Sequence, residues 1–197
     1  CSTHLGDEAG SDLLTGGANT ERAKELLEEA GYDGTPIVLM APTDVISLNN
    51  QPVVAAQALR EAGFEVDMQS MDWQSVVQRR AQQSPVAEGG WNLFFTNWMV
   101  PEVSDPLVNV MLNGRGDDGW FGWPDDPEIE AMRTEYVSAS DDATKKEIAT
   151  RIQEHVMDNV NYLMMGEYII PQARRSNIED MIPSPVPVFW NMTKAAE

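Results

Sequence analysis

Basic residues are scarce in this chain of 197 residues. Lys and Arg together number 13 against 32 Asp and Glu, which gives a net charge of −19. Such a negative field repels the phosphates of nucleic acids and anionic lipid surfaces, so nucleic acid is excluded as an expected partner. Long apolar runs are also missing. Because no 18 consecutive apolar residues occur, the sequence predicts no membrane-spanning helix.

One cysteine and two histidines leave few routes to catalysis or metal binding. Two histidines cannot build the His clusters that hold transition metals. His155 falls on the apolar face of a long predicted helix, so a Ser–His or Cys–His pair is not supported. Asp117–Asp118 and Asp125–Asp126 are adjacent pairs, whereas glycosidase carboxylates act across a cleft. We therefore predict no catalytic residue, cofactor or metal site, and a carboxylate-dependent hydrolase remains only an alternative.

Composition divides the chain into three parts. Residues 1–18 are rich in Gly, Ser, Thr and Asp and predict a flexible lead-in. Residues 19–182 carry the apolar periodicity of an α/β lobe. Residues 183–197 begin with three prolines in five positions, which forbid a helix and disfavour a central strand, so an extended tail is expected. The start at Cys1, without Met or an apolar leader, favours a processed or excised piece.

Two segments repeat one pattern, in which a helix ends at a glycine and an aromatic residue leads into a strand. The first covers residues 20–40 and the second residues 52–68. Gly31 and Gly63 stand where a helix ends in a left-handed residue, a conformation that glycine adopts without a Cβ penalty. The alternation predicts an α/β fold in which residues 37–40 form a buried strand and residues 64–68 a strand nearer the sheet edge.

Further elements follow from apolar spacing and helix-start signals. Helices are expected over residues 73–82, 106–112, 127–138 and 141–158. Apolar runs predict strands over residues 91–98 and 162–170.

Polar and aromatic side chains follow two of the predicted strands at their carboxyl ends. The carboxyl ends of strands in an open α/β sheet are where ligands bind, and small ligands are held by aromatic walls with a few fixed polar groups. The loop after the first strand and the end of the 91–98 strand should therefore meet. The candidate ligand-binding residues are Asp44, Asn49, Asn50, Thr96, Asn97, Trp98 and Trp120.

Each candidate has a structural alternative that the sequence leaves open. Asp44 could form a turn rather than contact a ligand. The aromatic run at Trp120–Trp123 could be a cleft wall or lid, or it could plug the core beneath its loop. Arg79 and Arg80 could neutralise an acidic ligand or the acidic surface around them.

Five segments in order carry a resemblance to a known family. They are Ala23–Tyr32, Gln57–Val66, Met71–Trp73, Gly90–Phe94 and Asp105–Pro106. Together they resemble the carboxyl-terminal lobe of the family 5 extracytoplasmic solute-binding proteins, the peptide and nickel group that serves ABC importers. The resemblance implies a type II periplasmic-binding-protein-like lobe, with a mixed sheet flanked by helices and a tail that crosses back to a missing amino-terminal lobe.

The resemblance also implies function, partners and one more residue. It implies capture of a peptide, opine, sugar or metal chelate between two lobes, with delivery to ABC permease subunits. Glu102 stands near the register at which the family carries an acid for the amino terminus of a peptide. Cys1 would then pair with a cysteine in the missing lobe. The location would be periplasmic or extracytoplasmic, at the membrane through the transporter. An acidic protein-interaction module is the alternative.

Overall fold

Helices and short strands alternate along the chain. The computed structural model describes residues 9–186 and 188–195, so Cys1 and His4 lie outside the described residues. The helices are α1 (Thr20–Glu29), α2 (Gln51–Glu61), α3 (Trp73–Arg79), α4 (Val100–Val103), α5 (Pro127–Ser138) and α6 (Asp142–Asn159). The strands are β1 (Ile37–Pro42), β2 (Val66–Met71), β3 (Ile178–Glu179) and β4 (Thr193–Lys194). Short 3₁₀ turns cover Ser11–Leu14, Val86–Glu88, Val110–Leu112 and Gly116–Asp118.

Strand β1 lies at the centre of the first sheet. Every residue of β1 after Ile37 is buried, as predicted for a strand covered on both faces. Strand β2 pairs with it in parallel, with Ile37 opposite Val66, and Leu93 bridges the other side of β1 at Leu39. Strand β2 therefore lies at an edge, which confirms the prediction from its alternating sequence.

The predicted strand over residues 91–98 is wrong beyond a single bridge at Leu93. The Leu93 N–H donates to the Val38 carbonyl at 3.0 Å, and the Leu93 carbonyl accepts from Met40 at 2.9 Å. The side-chain oxygen of Asn92 accepts a hydrogen bond from the Val38 N–H at 2.8 Å. In a regular strand a backbone carbonyl would accept this bond. Because the bridge is parallel, residues 94–98 still follow it toward the carboxyl end of β1.

The two helix–glycine–aromatic units pack against each other. Gly31 and Gly63 have φ of 70° and 104°, which confirms the left-handed helix ends that the sequence predicts. The aromatic residues that follow them, Tyr32 and Phe64, have ring centroids 5.1 Å apart. The Tyr32 hydroxyl also accepts the N–H of Glu65 at 3.1 Å. The residues that follow α1 are thus held against the residues that lead into β2.

Two apolar cores support the chain. The first joins β1, α2 and the bridge segment through Leu39, Ala41, Leu48, Ala56 and Phe95. The second joins α5, α6 and the Val110–Leu112 turn, and its buried residues are Leu112, Ile129, Met132, Tyr136, Ile148, Ala149, Ile152 and Val156. Among the described helices, none has the length and apolar character needed to cross a bilayer.

Three further expectations need correction or qualification. The helix predicted over residues 106–112 is replaced by a turn and the Val110–Leu112 3₁₀ turn. The strand predicted over residues 162–170 has no regular secondary structure, because its apolar side chains find no neighbouring strand, and Ile169 is 89% exposed. The tail is only partly extended, since β4 returns to pair antiparallel with β3. Pro187 lies outside the described residues.

Candidate ligand-binding site

The loop after β1 meets the segment after the Leu93 bridge, as the strand ends predict. The side-chain amide of Asn97 donates to the Ser47 hydroxyl at 2.8 Å. Strands β1 and β2 are parallel and the Leu93 bridge is also parallel, so both segments leave the sheet at its carboxyl edge. The roles of these residues in ligand binding stay a prediction, but their convergence is a feature of the fold.

A third segment reaches the same point. The Asn97 amide also donates to the Tyr168 hydroxyl at 2.9 Å. Tyr168 lies in the run that the sequence predicts to be a strand, and nothing in the sequence pointed to it as a site residue. Its hydroxyl group in a largely apolar stretch is a signal that could have drawn attention to it.

The three candidates in the loop after β1 have different environments. The carboxylate of Asp44 accepts the N–H of Trp73 at 2.7 Å, so it holds the start of α3. The side-chain oxygen of Asn49 is buried and accepts no hydrogen bond from a described residue. Asn50 is exposed and precedes α2, but its side chain does not cap that helix. Asn49 is therefore the loop residue with unused hydrogen-bonding capacity.

Glu102 and Thr96 lie on either side of the Asn97–Trp98 pair along the chain. The Glu102 carboxylate accepts the N–H of Met99 at 3.1 Å, which caps the short helix α4. Thr96 is half-buried beside the core residue Phe95. Only one oxygen of Glu102 is engaged in the cap.

Aromatic rings form a continuous cluster beside these polar groups. We define the aromatic cluster by its members, which are Trp91, Phe94, Trp98, Trp120, Phe121 and Trp123. The rings of Trp98 and Trp120 are 5.8 Å apart, and those of Phe94 and Trp120 are 5.5 Å apart, within the range of favourable aromatic contact. Trp98 is 38% exposed. The inner rings thus pack the loop at Trp120–Trp123 against residues 94–98. Trp98 lies at the exposed edge of the cluster, which we call its open rim.

The adjacent arginines face different surroundings. Arg79 donates through Nε to the carbonyl of Gly89 at 2.9 Å and through Nη2 to that of Gly90 at 2.9 Å. It also donates to the side chain of Gln69, which is half-buried on β2. Arg80 instead lies among the rings of the aromatic cluster, with its Cζ 4.5 Å from the centre of Phe121. Burial lowers the pKa of the Arg80 guanidinium.

A separate small cavity lies in the second core. Its volume is about 50 Å³, and its lining includes Val103, Leu112, Ile152, Val156 and Met164. None of the candidate residues lines it. Over the described part of the chain, no group of three or more His, Cys, Asp and Glu residues could hold a metal ion.

The family of the chain follows from its sequence comparison. A family model described as bacterial extracellular solute-binding proteins, family 5 Middle, matches residues 5–120. The chain belongs to this family. The resemblance carried by the five segments is thereby confirmed.

Named relatives of this family 5 chain are binding proteins. The probable peptide ABC transporter periplasmic-binding protein y4tO of Sinorhizobium fredii is 33% identical over 179 residues, which cover 91% of this chain and 34% of that protein. Di/tripeptide-binding protein 4 of Pseudomonas aeruginosa is 22% identical and is covered over 31% of its length. The chain thus spans about a third of the length of the relatives it matches.

Solved structures agree on the fold. AppA from Clostridium difficile superposes with a TM-score of 0.65 at 16% identity, over 81% of this chain and 32% of that one. The oligopeptide-binding protein AppA from Bacillus subtilis, solved in complex with a nonapeptide, gives a TM-score of 0.55 at 17% identity, over 73% and 30% of the two chains. The predicted α/β lobe of the periplasmic-binding-protein type is therefore confirmed.

Proposed function

We propose that this chain supplies one wall of the ligand cleft in the substrate-binding component of an ABC importer, and that the captured solute is a peptide. The observation that carries the proposal is the convergence of Ser47, Asn97 and Tyr168 beside Trp98 at the carboxyl edge of β1. Family membership and the peptide-binding names of the relatives support it. Opines, sugars and metal chelates are the competing solutes.

The proposed wall combines the two features that small-ligand sites share. The open rim of the aromatic cluster offers apolar area, and the exposed side chain of Asn97 offers a polar group that orients a ligand. The exposed carboxylate of Glu102 is proposed to meet the amino terminus of the peptide, as the family resemblance implies. Because one wall cannot bury a ligand, closure of the missing lobe would supply the contacts that favour the bound state.

The proposed role also implies a cellular location and partners. The relatives are named as periplasmic-binding proteins or peptide-binding proteins rather than as enzymes, which supports an extracytoplasmic binding role without turnover. Delivery to permease subunits, and association with the membrane through them, are part of the proposal.

Isothermal titration calorimetry of the full-length protein with di-, tri- and nonapeptides tests this function. We expect binding that Trp98→Ala weakens about tenfold or more, because removing a central aromatic contact typically costs that much. Asn97→Ala should weaken it as well, since the amide joins three segments of the wall. Val137→Ala on the exposed surface of α5 is the control and should leave the affinity unchanged.

Three results would contradict the proposal. Binding of sugars or chelates in place of every peptide would assign another solute. A peptide affinity that neither Trp98→Ala nor Asn97→Ala changes would show that the binding site lies elsewhere. Equal peptide affinity of the 197-residue chain and the full-length protein would rule out a cleft built from two lobes.

A further inference from the structure

Two stretches of the chain form the aromatic part of the proposed ligand wall, and they meet at their tips. The first arm is residues 94–107, which carry Trp98 and Glu102, and the second arm is residues 114–126, which carry Trp120. The rings of Trp98 and Trp120 lie 5.8 Å apart. The longest regular element in either arm is the four-residue helix α4. Because so short an element is not stable by itself, contacts outside the arms must hold the tips in place.

One ion pair on α5 holds the roots of both arms. The Glu130 carboxylate oxygen Oε1 accepts the N–H of Gly114, the first residue of the second arm, at 3.0 Å. The same oxygen accepts a hydrogen bond from Nη1 of Arg133. Arg133 also donates through Nε to the Pro106 carbonyl at 3.1 Å and through Nη2 to the Leu107 carbonyl at 3.3 Å, at the end of the first arm. A single oxygen atom therefore links the two roots.

The burial of this pair distinguishes it from an ion pair on a helix surface. The side chains of Arg133 and Glu130 are 16% and 28% exposed, whereas those of Arg151 and Glu135, which join α6 to α5, are 49% and 50% exposed. A charge withdrawn from water must recover its hydrogen bonds from protein groups. Arg133 recovers them while the carbonyls at the end of the first arm stay in place, so the pair favours the docked position of that arm.

Each root has a second contact that fixes its position. The Tyr136 hydroxyl on α5 donates to Asp105 at 3.3 Å, and Asp105 turns the first arm by accepting the N–H of Leu107 at 2.8 Å. In the second arm, the N–H of Asp126 donates to the carbonyl of Gly114 at 2.8 Å. A Cβ added to Gly114 would lie 2.5 Å from the carbonyl oxygen of Asp126. The roots are thus fixed, and a displaced root would shift the few residues between it and its tip.

We propose that Glu130 and Arg133 are positioning residues for peptide capture, which set the distance between the two arms through their shared hydrogen bonds. The inference rests on the proposed peptide-binding function and adds two residues on α5 that act through the arms. Without the pair, Trp98 and Trp120 separate, and a peptide must order the open rim before it can pack there. Such ordering lowers the affinity.

Isothermal titration calorimetry of the full-length protein with Ala-Phe-Ala and Ala-Ala-Ala tests the proposal. Wild type is compared with Arg133→Met, Glu130→Ala and Glu130→Gln, and Arg133→Met is also measured in the Trp98→Ala background. Arg151→Met is the matched control, because it breaks an exposed Arg–Glu pair between α6 and α5. Thermal unfolding of each variant checks that the fold stays intact.

We expect Arg133→Met to weaken the binding of Ala-Phe-Ala about fivefold or more, within the range of coupling inside one hydrogen-bond network. The loss should shrink in the Trp98→Ala background, because Trp98 is no longer there to be positioned. Glu130→Gln should keep part of the affinity that Glu130→Ala loses, since an amide oxygen still accepts the N–H of Gly114. Arg151→Met should leave the affinity unchanged.

Fluorine NMR of the ligand-free protein gives a readout that a loss of stability alone does not move. In protein labelled with 5-fluorotryptophan, the resonances of Trp98 and Trp120 are assigned by Trp→Phe substitution and report the surroundings of the two rings. Arg133→Met should shift or broaden both resonances, and Arg151→Met should leave both unchanged.

Three results overturn the proposal in distinguishable ways. If peptides bind and Arg133→Met leaves the affinity unchanged, the function stands and the positioning role falls, whatever the two resonances do. If Arg133→Met weakens binding equally with and without Trp98, the pair does not act through the first arm and the positioning role falls. If wild type binds neither peptide, the proposed function fails and the positioning role fails with it. Should Arg133→Met not fold, the comparison of Glu130→Gln with Glu130→Ala decides, and equal affinities of these two variants overturn the role.

Discussion

Asp126 serves two helices at once. Its Oδ1 accepts the N–H of Ile129 at 3.0 Å, which caps α5, and its Oδ2 lies 2.7 Å from Nε2 of His155 on α6. The side chains of Asp126 and His155 are only 15% and 13% exposed. Burial raises the pKa of Asp126, but the hydrogen bonds from His155, Ile129 and Asn161 lower it by more, so the net shift is downward.

Asp126→Ala should therefore lower the free energy of unfolding by about 2 kcal/mol, the upper end of what a helix cap contributes. The reason is that α5 loses its cap while His155 loses its partner between α5 and α6. Asp141→Ala is the control, because Asp141 caps α6 through Thr144 and pairs with no histidine among the described residues. Chemical denaturation should show the smaller loss for Asp141→Ala, and equal losses would mean that the contact with His155 adds nothing.

The same carboxylate predicts a pH dependence. A lowered folded-state pKa means that Asp126 stabilises the fold fully above its ordinary value of 3.8, and that this stabilisation is lost as the pH falls through the folded-state value. The difference in unfolding free energy between wild type and Asp126→Ala should stay level from about pH 7 to about pH 5 and shrink as the pH falls below 3.8. A difference that does not shrink below 3.8 would show that the charge of Asp126 does not contribute.

Residue identity alone could not separate Arg79 from Arg80. Arg79 is the last residue of α3 and Arg80 follows it as the C-cap, and the sequence left open whether either meets a ligand or the surface. The backbone partners of Arg79 lie at residues 89–90, and the rings around Arg80 include Phe94, Trp120 and Phe121. Which donors a side chain has left unused is decided by such distant contacts.

At the scale of elements, the repeated glycine stops offer a matched comparison. Gly31 has φ of 70° with open space around an added Cβ, whereas Gly63 has φ of 104° and a Cβ there would lie 3.3 Å from Leu27. Gly31→Ala should cost about 1 kcal/mol, the usual penalty for a left-handed alanine. Gly63→Ala should cost more, because its φ lies farther from the left-handed minimum than that of Gly31 and the Leu27 side chain must give way.

Urea denaturation of both glycine variants measures the two costs. Wild type is the reference, and equal m-values would show that only stability has changed. A Gly63→Ala protein as stable as Gly31→Ala would mean that Leu27 on α1 can shift without lowering the free energy of unfolding.

Elements fixed by near neighbours in sequence could be predicted, and elements fixed by a distant partner could not. The helix ends at Gly31 and Gly63 and the buried strand β1 follow from residues within a few positions. The runs at 91–98 and 162–170 have strand-like composition, but a strand also needs a backbone partner, and composition does not show whether one is present. The contact between Asn97 and the loop after β1 was predictable, because parallel strands end at one edge of a sheet. The contact between Asn97 and Tyr168 was not, because Tyr168 lies in the segment whose structure was predicted wrongly.

At the scale of the whole molecule, two segments expose large apolar side chains, and the family comparison helps to explain them. Residues 163–170 include Leu163 and Ile169 at 67% and 89% exposure, and near the carboxyl end Phe189 and Trp190 are 71% and 84% exposed. Exposed apolar area of this kind is typical of surfaces that contact other protein. Because the chain spans about a third of its relatives, we expect these two segments to pack against the remainder of the full-length protein.

Hydrogen exchange tests that expectation. In the isolated 197-residue chain, the amides of residues 163–170 and 188–190 should exchange rapidly, whereas in the full-length protein the same amides should exchange slowly, since packing lowers the population of open states. Strand β1 is the internal control, because its buried ladder should be protected in both proteins. Rapid exchange of both segments in the full-length protein would leave them uncovered there. The fixed position of Tyr168 beside Asn97 would then have to come from this chain alone, and the third segment of the proposed wall would lack support from a second lobe.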